Sequence, residues 1–170
     1  RQFNYKIPFR VAESPVFVGT KFRDKLLKAA DEIIDFIVRP DFKSLMAGAI
    51  PSQVYVPNDD NHTLFLALDF AVCTEAGSIE LVPRLIEIQG FPSLFGYQDF
   101  LGNMFKEHYQ IPENLGFHFG ERSEQYWKRL QKAIIGKHNP ENVILLEIDP
   151  SKQNTYIDFL VTKHHLGIEP

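Results

Sequence analysis

The sequence predicts an α/β fold: a hairpin-containing sheet covered by helices, followed by the first strand and helix of a parallel βα layer. Two strand-like runs, Thr63 to Val72 and Leu81 to Gly90, flank a turn centred on Ala76-Gly77-Ser78. Three other segments carry apolar residues at the three-and-four spacing of amphipathic helices. Near the end, the β run Asn142 to Asp149 precedes a helical segment, and strand followed by helix is how a parallel crossover starts. With 170 residues, 44% hydrophobic and 24% charged, the chain can bury one core, so residues 1–170 are expected to form a single α/β domain.

Taken in order, residues 1 to 19 contain Pro8, Pro15 and Gly19 without sustained period and read as irregular. From Thr20 to Val38, Phe22, Leu26, Ala30, Ile33, Ile34 and Ile37 mark a core-facing helix, with Thr20 placed to cap it and Pro40 beyond its end. Residues 41 to 61, with Pro51, Pro57 and Asn58-Asp59-Asp60-Asn61, read as a loop. After the hairpin, Phe91-Pro92-Ser93 breaks the strand, and Ser93 can cap a helix with Leu94, Tyr97, Leu101, Met104, Phe105 and His108 along one face. Pro112 to Gly120 is a loop. A further helix runs from Ser123 to about Ile135, burying Tyr126, Trp127, Leu130 and Ile134, with Gly136 near its end. The last helix covers Ser151 to His165 and stops at Gly167.

Composition excludes several classes of function. A formal net charge of -4, with Lys and Arg scattered, leaves no basic surface for nucleic acid or an anionic membrane. The longest apolar run, Leu64 to Val72, is interrupted by Asp69 and falls far short of the roughly 20 residues that span a bilayer. One cysteine, Cys73, cannot form an internal disulfide, which fits a reducing, cytoplasmic compartment. The start at Arg1 and the close at Leu166-Gly167-Ile168-Glu169-Pro170 lead to the expectation that the chain is a portion of a longer protein.

The residues with chemistry lie on the hairpin. Alternation along the strands puts Asp69 on a face with Phe65, Ala67 and Ala71, and Glu87 with Gln89 on one face of the second strand. A turn centred on Ser78 sets Asp69 opposite Glu87, where cross-strand partners sit roughly 5 Å apart. Two carboxylates at that distance repel unless one is protonated or a cation lies between them. Hard oxygens of this kind, with the Gln89 carbonyl, suit Mg²⁺ or Mn²⁺ bridged to a phosphate.

Asp69 followed by Pro83-Arg84-Leu85-Ile86-Glu87-Ile88-Gln89-Gly90-Phe91-Pro92-Ser93-Leu94 resembles the metal-binding strand pair of ATP-grasp carboxylate-amine ligases, in the circularly permuted branch typified by glutathionylspermidine synthetase. Residues 64–108 resemble the metal-strand segment of that branch. Residues 142–170, with Val143 to Asp149 and a helix ending His165-Leu166-Gly167, are similar to the Rossmann-like pre-ATP-grasp element that follows in that branch. The resemblance implies Asp69, Glu87 and Gln89 as metal ligands, Mg²⁺ with ATP as cofactors, Ser93 near a phosphate, and a small carboxylate and an amine as substrates. Three features depart from the family. Gln89 replaces the usual Asn, Ala67 stands where related synthetases often carry an arginine, and the lysines and flexible loop of the nucleotide clamp have no counterpart. The chain is therefore expected to be inactive alone. Two other readings use the same residues: a non-catalytic scaffold that keeps only the fold, and a Mg²⁺-dependent restriction-type nuclease, in which Asp with Glu-x-Gln on a hairpin would hold the ion.

The remaining polar residues have structural readings. His164 and His165 point about 100° apart on a helix and cannot close one metal site. His118 reads as a packed loop residue, Cys73 as a structural thiol, Trp127 as core, and Ser93 as a helix cap or a phosphate contact.

Overall fold

The computed structural model describes residues 3–58, 62–116, 118 and 120–168. The expectations for Asp59-Asp60-Asn61 and for Arg1, Glu169 and Pro170 lie outside the described residues. The fold is mixed α/β, with helices and a two-stranded antiparallel sheet. Contacts divide the chain into two compact units: Val16–Pro92, and the residues up to Pro15 together with those from Ser93 on.

The Val16–Pro92 unit begins with α1 (Thr20–Ile37), whose half-buried residues Phe22, Leu26, Ala30, Ile33 and Ile37 are most of the stripe read from the sequence. Its cap position is Gly19, not Thr20, and no side chain closes the helix start. None of its residues is fully buried, so this helix covers a shallow layer and not a deep core. The expected loop after it contains a short helix, α2 (Phe42–Met46), and 3₁₀ turns at Ala47–Ala49 and Ser52–Val54. Five helical residues are too few to show a period. The turn into them is instead held by an edge-on contact of Phe36 and Phe42 at 5.8 Å and by the Arg39 guanidinium on Asp41 at 2.7 Å.

Two strands follow, β1 (Ala67–Thr74) and β2 (Leu81–Gln89), paired antiparallel. Gly77 adopts a φ of 78°, and Ser78 N donates to Glu75 O at 3.0 Å, so the turn uses the one residue type that enters the left-handed region without steric cost. From the turn outward, Thr74 pairs with Leu81 and Phe70 with Leu85; a bulge then intervenes, and Asp69 pairs with Glu87, Leu68 with Ile88 and Ala67 with Gln89. Ile86 is the extra residue and is 66% exposed. Toward the turn from the bulge, the alternation of β2 shifts by one. Leu85, not Ile86, therefore joins Phe70 and Ile88 in lining the apolar groove shared with Ile33 and Phe36 of α1. Strand pairing starts at Ala67, later than the sequence suggests, because the Thr63 hydroxyl takes over the base of the hairpin. It lies 2.7 Å from Phe65 O and 2.9 Å from Gly90 O.

In the other unit, α3 (Phe95–His108), α4 (Ser123–Ile134) and α5 (Tyr156–Leu166) enclose the core of the protein. Tyr97, Trp127, Leu130, Ile135, Ile157, Val161, Leu166 and Ile168 are its buried apolar side chains. Phe9 and Tyr5 from the amino-terminal segment meet Tyr97 and Tyr156 edge-on, at 5.9 and 5.5 Å. α3 and α5 approach closely at Gly96: a Cβ there would stand 2.7 Å from Thr162 Oγ1 and 3.0 Å from the Trp127 ring. α5 ends as its sequence indicates, with Gly167 at φ 67° and its N–H on Lys163 O at 2.8 Å.

The parallel βα layer is not formed among the described residues. Asn142 to Asp149 forms no strand there beyond an isolated bridge residue at Ile144, and Ile144, Leu146 and Ile148 are 73%, 87% and 82% exposed on alternate positions. A parallel strand takes its hydrogen bonds from a neighbour of the same direction, and the only ladder among those residues is the antiparallel hairpin. α5 also starts later than Ser151. Asp149 takes a left-handed φ of 49°, Pro150–Lys152 forms a 3₁₀ turn, and the Gln153 amide returns to Ile148 O at 2.8 Å, so the helix begins only at Tyr156.

Candidate metal face and buried polar centre

The register brings three of the four residues singled out from the sequence onto one surface. Asp69 and Glu87 face each other across the strands, and Gln89 lies two residues along β2 on the same side. The bulge makes this possible. In a ladder continuing unbroken from Thr74–Leu81, Asp69 would face Ile86, and Glu87 would lie beyond it. The side-chain amide of Gln89 donates to both carboxylates, 3.1 Å to Asp69 Oδ2 and 2.7 Å to Glu87 Oε1. Its Nε2 thus occupies the point between two anionic oxygens where positive charge is most favourable. Asp69 and Glu87 are exposed.

As a cation site, the donor set is two carboxylates and one amide. Among the described residues no group of three or more His, Cys, Asp or Glu is arranged to hold a metal ion. The set still fits Mg²⁺, which is commonly held by one or two carboxylates while waters and phosphate oxygens complete the octahedron. A half-turn of the Gln89 amide replaces Nε2 by Oε1, and amide orientation is set by the partners it meets.

Ser93 belongs to the other unit, and its role as a cap is not observed. The cap position of α3 is Leu94, at a left-handed φ of 71°, and no side chain of that position bonds the helix. The amides are held from across the fold by Asp158 of α5, which accepts from Leu94 N and Tyr97 N, both at 2.8 Å. A carboxylate at a helix amino terminus satisfies otherwise orphaned N–H groups and complements the dipole. Burial pushes the Asp158 carboxyl up, while the backbone N–H groups of Tyr97, Leu94, Gly96 and Phe95 pull the other way without cancelling it. Ser93 is exposed, beside amides already given to an internal anion.

The second polar centre was not legible in the sequence. Asp99 on α3 is 3% exposed. Its Oδ1 meets His118 Nε2 at 2.7 Å, and its Oδ2 accepts from Ser123 Oγ at 2.5 Å, Trp127 Nε1 at 2.8 Å and Asn103 Nδ2 at 3.0 Å. Burial alone would raise the Asp99 carboxyl, but the bonds from Ser123, His118 and Trp127 outweigh it and hold the group below its ordinary range. His118 stacks on Tyr126 at 3.9 Å and 4°, and Trp127 stacks on His165 at 4.0 Å and 10°. The Tyr126 hydroxyl donates to Phe95 O at 2.8 Å; burial first, then Asp158 and Asp99, push it up to about 12 despite the bond from Gln98. Ser123 and His118 each bond Asp99, and the serine proton points to the carboxylate and not to an imidazole nitrogen. This is not a nucleophile-and-base arrangement. It is a saturated buried carboxylate that ties α3, α4 and the His118 loop together, in line with His118 and Trp127 as packed residues.

No helix among the described residues is long and apolar enough to cross a membrane. No family model, no curated protein and no solved structure matches the chain.

Proposed function

We propose that the Asp69–Glu87–Gln89 face is the Mg²⁺ site of an ATP-dependent carboxylate-amine ligase of ATP-grasp type, and that this chain supplies the metal-bearing portion without the nucleotide clamp. The observation that carries the reading is the register: a bulge places Asp69 opposite Glu87 and Gln89 beside both. Bound Mg²⁺ would neutralise phosphate charge during transfer of a phosphoryl group to a substrate carboxylate, and the amine would then attack the acyl carbon of that acyl phosphate and release inorganic phosphate. Asp69 and Glu87 would each give an oxygen, and Gln89 would turn its carbonyl inward. Ser93 has only its hydroxyl to offer a phosphate, since the amides at the start of α3 are taken by Asp158.

The test is a thermal melt of this chain with Mg²⁺ or Mn²⁺, with ATP, and with both, repeated on Asp69→Asn and Glu87→Gln. Metal at ten times its Kd stabilises by about 1.4 kcal/mol, or roughly 3–6 °C at this size. The native chain should show that shift and the variants should lose it, while ATP alone adds nothing. An equal metal response in Asp69→Asn overturns the site, and a shift with ATP alone overturns the absence of a clamp. A chain indifferent to metal at every concentration leaves the scaffold reading, and Mg²⁺-dependent DNA cleavage by this chain alone supports the nuclease.

A further inference from the structure

We draw no further inference here: the strongest candidate, the apolar groove of about 770 Å³ between α1, α2 and the hairpin, lined by Ile33, Phe36, Phe42, Phe70, Leu85 and Ile88, carries nothing because nothing in the structure shows what covers it.

Discussion

Gly96 and Asp99 stand three residues apart on α3 and set the two tightest constraints at the level of single residues. Gly96→Ala gains up to about 1 kcal/mol of helix propensity. It also drives a methyl to 2.7 Å from Thr162 Oγ1 and 3.0 Å from the Trp127 ring, and overpacking of that kind costs about 1–3 kcal/mol. Urea unfolding should therefore show net destabilisation, and a variant as stable as the native chain would contradict the close α3–α5 approach. Asp99 sets the acid limb of stability. Its carboxyl is depressed in the fold, so its contribution is present above the ordinary value of 3.8 and is lost as pH falls through the folded value. Asp158 has the opposite sign: its raised carboxyl contributes stability in acid, which is lost as pH rises through the folded value. Asp99→Asn should lower stability at neutral pH, by about 1–3 kcal/mol for disrupted buried hydrogen bonds, and should weaken the loss on acidification. Urea melts from pH 7 to 3 check this; an acid limb as steep in the variant as in the native chain would sink it. Neither aspartate was visible beforehand, because an acid on a helix reads as a solvated face until its partners on other helices are known. Ser93 was misread as a cap for the same reason: the group that holds those amides, Asp158, lies 64 residues from Leu94.

At the scale of elements, helices with sustained period were legible and elements that depend on a neighbour were not. α1 and α4 lie almost as their spacing indicates, and Gly167 closes α5 by a local rule. Asn142 to Asp149 has the composition of a strand, but composition supplies no pairing partner. The Asp69–Glu87 pairing was reached by way of an error. Placing the turn on Ser78 gives the right partner, whereas the observed turn lies closer to Gly77 and the bulge at Ile86 makes up the difference. A bulge leaves little signature in a single strand, because the extra residue here, Ile86, is as apolar as the Leu85 that it follows. Deleting Ile86 tests this account. The shortened β2 should pair without interruption from Leu81, and Glu87 should still face Asp69, since the deletion removes only the unpaired residue. Nuclear Overhauser effects between the backbones of Asp69 and Glu87 should persist in that variant. Their replacement by contacts from Asp69 to Ile88 would show that the bulge does not set the register.

On the scale of the whole molecule, stability is divided unevenly. Among the described residues, every buried apolar side chain lies in the unit of α3, α4 and α5, with Val161 and Ile168 wholly enclosed, whereas no described residue of Val16–Pro92 is buried. Hydrophobic stabilisation scales with area removed from water, and a two-stranded sheet under one helix removes little of it. In the hairpin unit Ile79 at the turn is 99% exposed and Phe91 beyond β2 is 92% exposed. The metal face proposed above therefore sits on the less stable part of the fold, and the saturated Asp99 centre sits in the more stable part. Local opening should follow that division, because amides exchange with solvent through fluctuations whose cost rises with the packing they break. In hydrogen exchange at neutral pH, amides of α5 around Val161 and of α3 around Gly102 should be the slowest. Those of β1 and β2 should exchange faster by at least tenfold, a difference of about 1.4 kcal/mol in opening free energy. Mg²⁺ should slow the amides of Asp69 and Glu87 selectively, because an ion that binds only the paired strands stabilises the pairing. Uniform protection across both units would show that the hairpin is as firmly held as the helical core, and metal-dependent protection confined to α3 would place the ion elsewhere.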